Sequence, residues 1–340
     1  MAILDPLAPH ALAVALHADA AEIAKPTSLL FNQIGSLLIA KTDYDEAEPL
    51  CRRALAIDEM SYGPDHPNVA RDLNNLAQLF QATNRLAEAG LLMRRALTID
   101  ERTYGPNSPN VATDLNNLGL LLKATNHLRE AEPLMRRALA IDEQSYDPSH
   151  PTVGIRLNNL AQLLQAAGWL AEAEPLMRRA LEIGETSYGP DHPDVAIRLN
   201  SLAQLLQAAN RCAEAEPLVR RALAIGEQRY GPDYPTVAIY LNNLAALLYR
   251  TNRLGDAEPL MRGALAIEEK SLGPDHPNVA RDLNNLARLL QYTHRLAEAE
   301  PLIRRALAIF EASLGPDHPD TVTVGNNLAA LKAALGKGGV

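Results

Sequence analysis

The chain has 340 residues, 32 Lys plus Arg against 41 Asp plus Glu, a net charge of −9, and 47% hydrophobic but only 4% aromatic residues. That balance belongs to an ordered protein, excludes collagen-like and low-complexity classes, and sets up a field that repels a phosphate backbone, so nucleic acid is not an expected partner. Cys51 and Cys212 belong to no CxxC or Cys/His cluster, and no apolar run approaches the roughly 18 residues of a membrane span; the expected state is a reduced, cytoplasmic chain with no disulfide, zinc site or membrane contact.

In chain order the first element falls within residues 1–26. Its segment Asp5-Pro6-Leu7-Ala8-Pro9-His10-Ala11-Leu12-Ala13-Val14 reads like Glu48-Pro49-Leu50-Cys51-Arg52-Arg53-Ala54-Leu55-Ala56-Ile57, so a degenerate copy of a later helix is expected there, with the chain starting in mid-repeat. Residues 27–318 carry a constant step of 42. Asn74-Asn75 returns as Asn116-Asn117, Asn158-Asn159, Asn200-Ser201, Asn242-Asn243, Asn284-Asn285 and Asn326-Asn327, with a weaker first copy at Asn32-Gln33. Gly63-Pro64-Asp65-His66-Pro67 returns at 105, 147, 189, 231, 273 and 315.

Within one unit Val69, Leu73, Leu76, Ala77 and Phe80 share one face of a helix, helix A. Asn84 and its copies Asn126, Gly168, Asn210 and Asn252 sit where a helix end needs a residue that tolerates the left-handed conformation. Leu86, Ala89, Met93, Ala96 and Leu97 restart the spacing in helix B, which Gly105 and Pro106 break. Pro67 suits the first turn of the next helix A, with His66 or Asp65 as its cap. Pro49, Pro133, Pro175, Pro217, Pro259 and Pro301 fall inside helix B, so a late start or a slight bend is expected there. An eighth helix A over residues 319–335 carries Lys332 at an otherwise apolar site and reads as a solvent-facing cap, followed by a frayed tail at 336–340.

At these residues the chain resembles the tetratricopeptide repeat family, in particular the 42-residue variety of kinesin light chain and many bacterial proteins. The strings LNNLA, AEAEPL, RRALAI and GPDHP carry the likeness over roughly residues 27–335. The resemblance implies an all-α fold, a right-handed α-solenoid of antiparallel helix pairs with helix A lining its concave side, and a non-enzymatic module that binds a protein or an extended peptide in that groove. Nothing resembles the heptad segment of kinesin light chain, so motor binding is not implied. The opening PHALAVALHADAAEIA resembles the lead-in to repeat arrays that follow nucleotide-binding switch domains in bacterial defence and signalling proteins, although this chain has no P-loop. The alternative reading is therefore a sensor or scaffold segment of a larger protein whose effector domain lies elsewhere.

The polar helix A residues off the apolar stripe are the expected groove lining: Arg71, Asn74 and Gln78 in one unit, then Asn116 and Lys123, Asn158 and Gln162, Asn200 and Gln204. Asn242, Arg281, Asn284, Arg288 and Asn326 continue the series, and Ile155, Ile197 and Ile239 add an apolar strip. Amides offer both donors and acceptors, which suits a peptide backbone. Two roles stand open for each asparagine pair, groove contact for the first with a bridge to the next repeat for the second, or bridges alone.

The Arg pairs at 52-53, 94-95, 136-137, 178-179, 220-221 and 304-305 read as solvated helix ion pairs rather than a phosphate ladder, because Glu48 and its copies precede an Arg by four. His66, His150, His192, His276 and His318 lie a repeat or more apart, so helix-start packing is expected in place of a metal site. No nucleophile-base pair, GxSxG or HExxH stands out, and no cofactor is expected. Trp169 breaks the repeat in an inter-helix turn and reads as a contact point or a packed turn.

Overall fold

The computed structural model describes residues 8–21 and 23–337, which form sixteen helices and no strand. They fall into two compact units, Met1–Trp169 and Leu170–Val340. In the first, α1 (Ala8–Ala20) precedes the helix A segments α2 (Ala24–Ala40), α4 (Pro67–Ala82), α6 (Pro109–Ala124) and α8 (Pro151–Ala166), which alternate with the helix B segments α3 (Tyr44–Tyr62), α5 (Leu86–Tyr104) and α7 (Leu128–Ser145). The second alternates helix B segments α9 (Leu170–Tyr188), α11 (Cys212–Tyr230), α13 (Leu254–Leu272) and α15 (Leu296–Leu314) with helix A segments α10 (Pro193–Ala208), α12 (Pro235–Arg250), α14 (Pro277–Tyr292) and α16 (Pro319–Lys337).

Within each unit a helix packs on its sequence neighbours, so every repeat adds one segment of a continuous core. Val69, Ala70 and Leu73 of α4 bury against Ala96 and Ile99 of α5; Val111, Ala112 and Leu115 of α6 meet Ala138 and Ile141 of α7 in the same way. Each fully buried aliphatic side chain contributes about 1.5–3 kcal/mol. The close approach needs small residues: a Cβ on Gly119 would come within 2.6 Å of Met135 Cγ, and one on Gly35 within 2.7 Å of Cys51 Sγ.

The turns follow the sequence closely. Asn84, Asn126, Asn210 and Asn252 take φ between 59° and 62°, and Gly168 takes 82°, ending helix A in the left-handed region. His66 Nδ1 accepts from Asn68 N at 3.2 Å, and His150, His192, His276 and His318 cap their helices in the same way. The rings of His66, His150 and His192 also stack on Tyr62, Tyr146 and Tyr188, with centroids 4.4–4.7 Å apart, so these histidines serve the helix starts.

Three expectations shift. Helix B does not start late at its proline: α7 begins at Leu128, five residues before Pro133, and α9 at Leu170, five before Pro175. A proline in the second turn loses the bond to the fourth preceding carbonyl and crowds it, and Arg129, which bears that carbonyl before Pro133, is exposed. The terminal helix continues through Lys337 rather than stopping at 335, so residues 336 and 337 belong to it; residues 338–340 of the expected tail lie outside the described residues. Of the expected N-terminal helix, α1 occupies residues 8–20, and residues 1–7 and 22 likewise lie outside; the first helix A begins at Ala24. Lys332 is exposed on α16.

Cys51 is fully buried between α2 and α3, Cys212 is half-buried at the start of α11, and both are free thiols. Burial, reinforced by the Asp72 and Glu48 carboxylates, pushes the Cys51 thiol up to about 11. A thiol reagent is expected to label Cys212 promptly in native protein and Cys51 only on unfolding. Equal native labelling of the two, or a disulfide found under native conditions, contradicts this packing.

Candidate functional site

Successive helices A lie beside one another within each unit, and side-chain amides join them. Asn75 Nδ2 donates to Asn32 Oδ1 at 3.1 Å, Asn159 to Asn116 at 3.0 Å, Asn243 to Asn200 at 2.8 Å and Asn327 to Asn284 at 3.0 Å. The second asparagine of a pair is therefore a bridge in these repeats. The first is engaged as well: Asn74 Nδ2 donates to Asp114 Oδ1 at 2.7 Å, and Asn242 Nδ2 to both oxygens of Asp282 at 3.0 and 2.9 Å. Asn116 and Asn158 are buried. Of the expected lining asparagines only Asn326 is exposed, and the amides of Asn74, Asn116, Asn200, Asn242 and Asn284 are engaged between repeats.

The other expected residues divide in two. Arg71 pairs with the buried Asp58 and Asp72 at 3.0 and 2.9 Å, and Lys123 Nζ donates to Gln162 Oε1 at 2.9 Å, burial holding the Lys123 amine below its ordinary value. Gln78, Gln204, Arg281 and Arg288 are exposed on helix A. Ile155 of the first unit is 43% exposed, and Ile197 and Ile239 of the second are 49% and 50% exposed. Two aromatics on helices A of the second unit were not singled out in the sequence: Tyr292 is exposed and packs edge-on to Tyr249, with ring centroids 5.3 Å apart and Arg288 close to Tyr249. Their signal was present, since Tyr249 stands where other repeats have Gln81, Lys123 or Gln165 and Tyr292 where they have Ala82, Ala124 or Ala166.

Each unit carries a depression lined in part by helix A residues. One of about 590 Å³ in the first unit is lined by Leu30, Gln33, Leu37, Arg71 and Asn75; one of about 370 Å³ in the second is lined by Arg281, Asn284, Phe310 and Thr323. A third of about 520 Å³ lies at the inter-helix turns, lined by exposed Trp169 with His127, Arg129 and Glu132.

Helix B presents compensated charge. Arg52, Arg136, Arg178, Arg220, Arg262 and Arg304 each pair with the glutamate four residues earlier at 2.5–2.9 Å. The second arginines Arg95, Arg137, Arg221 and Arg305 reach Glu59, Glu101, Glu185 and Glu269 of the preceding helix B at 2.5–2.7 Å. Exposed pairs contribute little to stability, about 0–1 kcal/mol each. They leave no basic ladder.

At one repeat position helix B meets the following helix A across a buried seam whose residues change along the chain, polar in most repeats and apolar at Phe310 and Val324. It carries Asp58 with Asp72, Asp100 with Asp114, Asp142 with Arg156, Gly184 with Arg198, Gly226 with Tyr240 and Glu268 with Asp282. Burial drives the paired acids upward: Asp72 to about 6 against the pull of Arg71, and Asp114 to about 7, where Asp100 lies in hydrogen-bond contact and Thr113 stands in place of an arginine. Arg156 Nε meets Asp142 at 2.7 Å, and its Nη2 reaches Thr113 Oγ1 on the exposed face at 2.9 Å. Among the described residues no group of three or more His, Cys, Asp or Glu is placed to hold a metal ion, and no helix is long and apolar enough to cross a membrane.

The Tetratricopeptide repeat family model matches residues 26–101, 88–144, 153–228, 211–267, 236–312 and 283–337. The chain belongs to the tetratricopeptide repeat family. No curated protein matches it in sequence. Among solved structures, this tetratricopeptide repeat chain is similar to the nearly identical TPR-like repeats of a kinesin light chain from Podosopora anserina, at 23% identity and TM-score 0.51 over 59% of this chain and 95% of that one. It is similar to BtubC (BKLC) of P. vanneervenii at 23% identity and TM-score 0.55, over 69% of this chain and 92% of that one. Aspartyl phosphate phosphatase F of Bacillus subtilis matches at 13% identity and TM-score 0.66, over 89% and 75%. These likenesses show the fold: helix pairs of the tetratricopeptide repeat, the kinesin light chain type among them.

Proposed function

We propose that this tetratricopeptide repeat chain is a non-enzymatic binding module that holds an extended segment of a protein partner on its helix A faces. The observation that carries the reading is the exposure of Ile155, Ile197 and Ile239 at a helix A position that holds Arg71, Thr113, Arg281 or Thr323 in other repeats. A single exposed apolar side chain needs no explanation, but its recurrence at one repeat position offers a ligand a series of apolar contacts. Exposed Gln78, Gln204, Arg281 and Arg288, with Tyr249 and Tyr292, supply the hydrogen bonds and flat surfaces that interfaces favour. The amides of Asn74, Asn116, Asn200, Asn242 and Asn284 act behind this surface and hold the repeats in register. Unlinked Cys51 and Cys212 suit a reducing compartment, where we place the module.

The test is an array of dodecapeptides probed with the chain and with the double variant Ile197→Asp/Ile239→Asp. With half of each side chain left to bury, about 0.75–1.5 kcal/mol per site, the double variant should lose about 10- to 100-fold in affinity. The melting temperature should stay within a degree or two, because both side chains are already half in water. Unchanged binding by the variant removes the helix A face from the function.

A further inference from the structure

Arg198 on α10 is 4% exposed, yet no carboxylate among the described residues lies within ion-pair distance. Its contacts are the Asp194 carbonyl, which accepts from Nη1 at 3.2 Å, and the Tyr188 ring, whose centroid is 5.9 Å away; Nε is buried with no partner. One repeat earlier, Arg156 at the same position is neutralised by Asp142. The counterpart of Asp142 is Gly184, and the Arg198 side chain folds onto the space a carboxylate would fill, so that a Cβ on Gly184 would lie 2.9 Å from Nη1. This repeat shares the arginine of its neighbour and has glycine in place of the counterion. An uncompensated buried charge is costly, and burial accordingly pulls the guanidinium below its ordinary value, with Asp194 opposing.

The position borders the binding face. Arg156 spans from the seam to Thr113 on that face, and next to Arg198 stands exposed Ile197. The helices A of this unit carry Arg198, Arg250, Arg281 and Arg288 against Asp194 and Asp320 at helix starts and Asp282, which is buried and held by Asn242; Arg281 lies near Asp282 and the buried Glu268, while Arg250 and Arg288 stand exposed. This is the reverse of the chain's net charge of −9.

We propose that Arg198 is a carboxylate-binding residue, and that the segment bound on this face carries an aspartate or glutamate whose carboxylate replaces the counterion lost at Gly184. On binding, the four rotatable bonds of Arg198 carry the guanidinium from Gly184 toward Ile197, where it takes the carboxylate through two N–H donors. The free protein bears the cost of the buried charge, and the ligand relieves it. An adjacent apolar ligand residue packs on Ile197. This assignment rests on the helix A face being the binding surface and adds the chemistry of its ligand.

The probes are labelled dodecapeptides of Ala, Ser and Leu with a central Glu, Gln or phosphoserine, titrated against the full chain and against Gly184→Asp, Gly184→Ala and Arg198→Met. The Glu peptide should bind about 10- to 100-fold more tightly than the Gln peptide, the effect of one charge-assisted pair. Gly184→Asp restores an internal counterion, so it should raise the melting temperature and erase the Glu preference. Arg198→Met should erase the preference without loss of stability, and Gly184→Ala should retain it. Glu and Gln peptides that bind equally, yet still respond to Ile197→Asp/Ile239→Asp, overturn the carboxylate site and leave the binding face standing. No binding by any peptide overturns both. A Glu preference that survives in Gly184→Asp, or a phosphoserine peptide that binds while the Glu peptide does not, overturns the assignment, as does a Gly184→Asp chain that melts earlier.

Discussion

Replacing Asp114 by asparagine is expected to raise the melting temperature, and to raise it more at pH 8 than at pH 5. Asp114 is 3% exposed; it accepts from Asn74 of α4 at 2.7 Å and is in hydrogen-bond contact with Asp100 of α5. Two carboxylates in contact without a cation cannot both ionise cheaply, and burial with the Asp100 charge pushes Asp114 up to about 7. The neighbouring seam differs, because Arg71 there pairs with both Asp58 and Asp72.

The sign follows from linkage. In the unfolded chain Asp114 loses its proton near pH 4, while in the folded chain it holds the proton to about 7. Its favourable contribution is complete below pH 4 and is lost as the pH rises through 7. The amide introduced by Asp114→Asn keeps both hydrogen bonds, accepting from Asn74 and donating to Asp100, with no proton to lose. Each tenfold change in proton affinity is worth about 1.4 kcal/mol, so between pH 5 and pH 8 the variant's advantage should grow by on the order of 2–3 kcal/mol. For a body of this size that is roughly 5–10 °C. Comparing the two proteins at each pH removes the opposing trend of surface acids such as Glu174 and Glu216, whose arginine partners hold them below the usual carboxylate range. An equal gain at both pH values, or a loss, would show that the pair shares no proton.

The second large effect concerns the asparagines. Asn74→Ala and Asn242→Ala should each lower stability by about 1–3 kcal/mol, because each strips a donor from a buried carboxylate, Asp114 or Asp282. Alanine's better helix propensity offsets only a few tenths of that. Peptide binding by the folded protein should change little. Gln78→Ala with Gln204→Ala should behave in the opposite way, with stability within about 0.5 kcal/mol and weaker peptide binding, since both glutamines are exposed. If the asparagine variants keep their stability and lose binding, the amides belong to the ligand and the glutamines are bystanders.

The contrast separates what is local from what is not. The 42-residue step, helix A and helix B, the left-handed turn at Asn84, the His66 cap and the glutamate-to-arginine pairs of helix B were all legible in the sequence. Each depends on a few neighbouring residues and recurs often enough to identify itself. The place of the asparagines was not legible in that way. Asn74 meets Asp114, 40 residues on, and Asn75 meets Asn32, 43 residues back, and helical periodicity puts a side chain on a face without saying whether the next helix covers it. The seam shows the same limit. The change from Asp142 to Gly184 is visible as a broken repeat, but only packing reveals that position 184 meets position 198, and so that a unit of unchanged length holds a buried arginine without its counterion. Local signals determined the helices and their order, because caps, turns and apolar stripes act within one or two turns of chain. Which polar groups are spent between repeats, and which are left for a ligand, was decided by the stacking of helices about 40 residues apart in sequence.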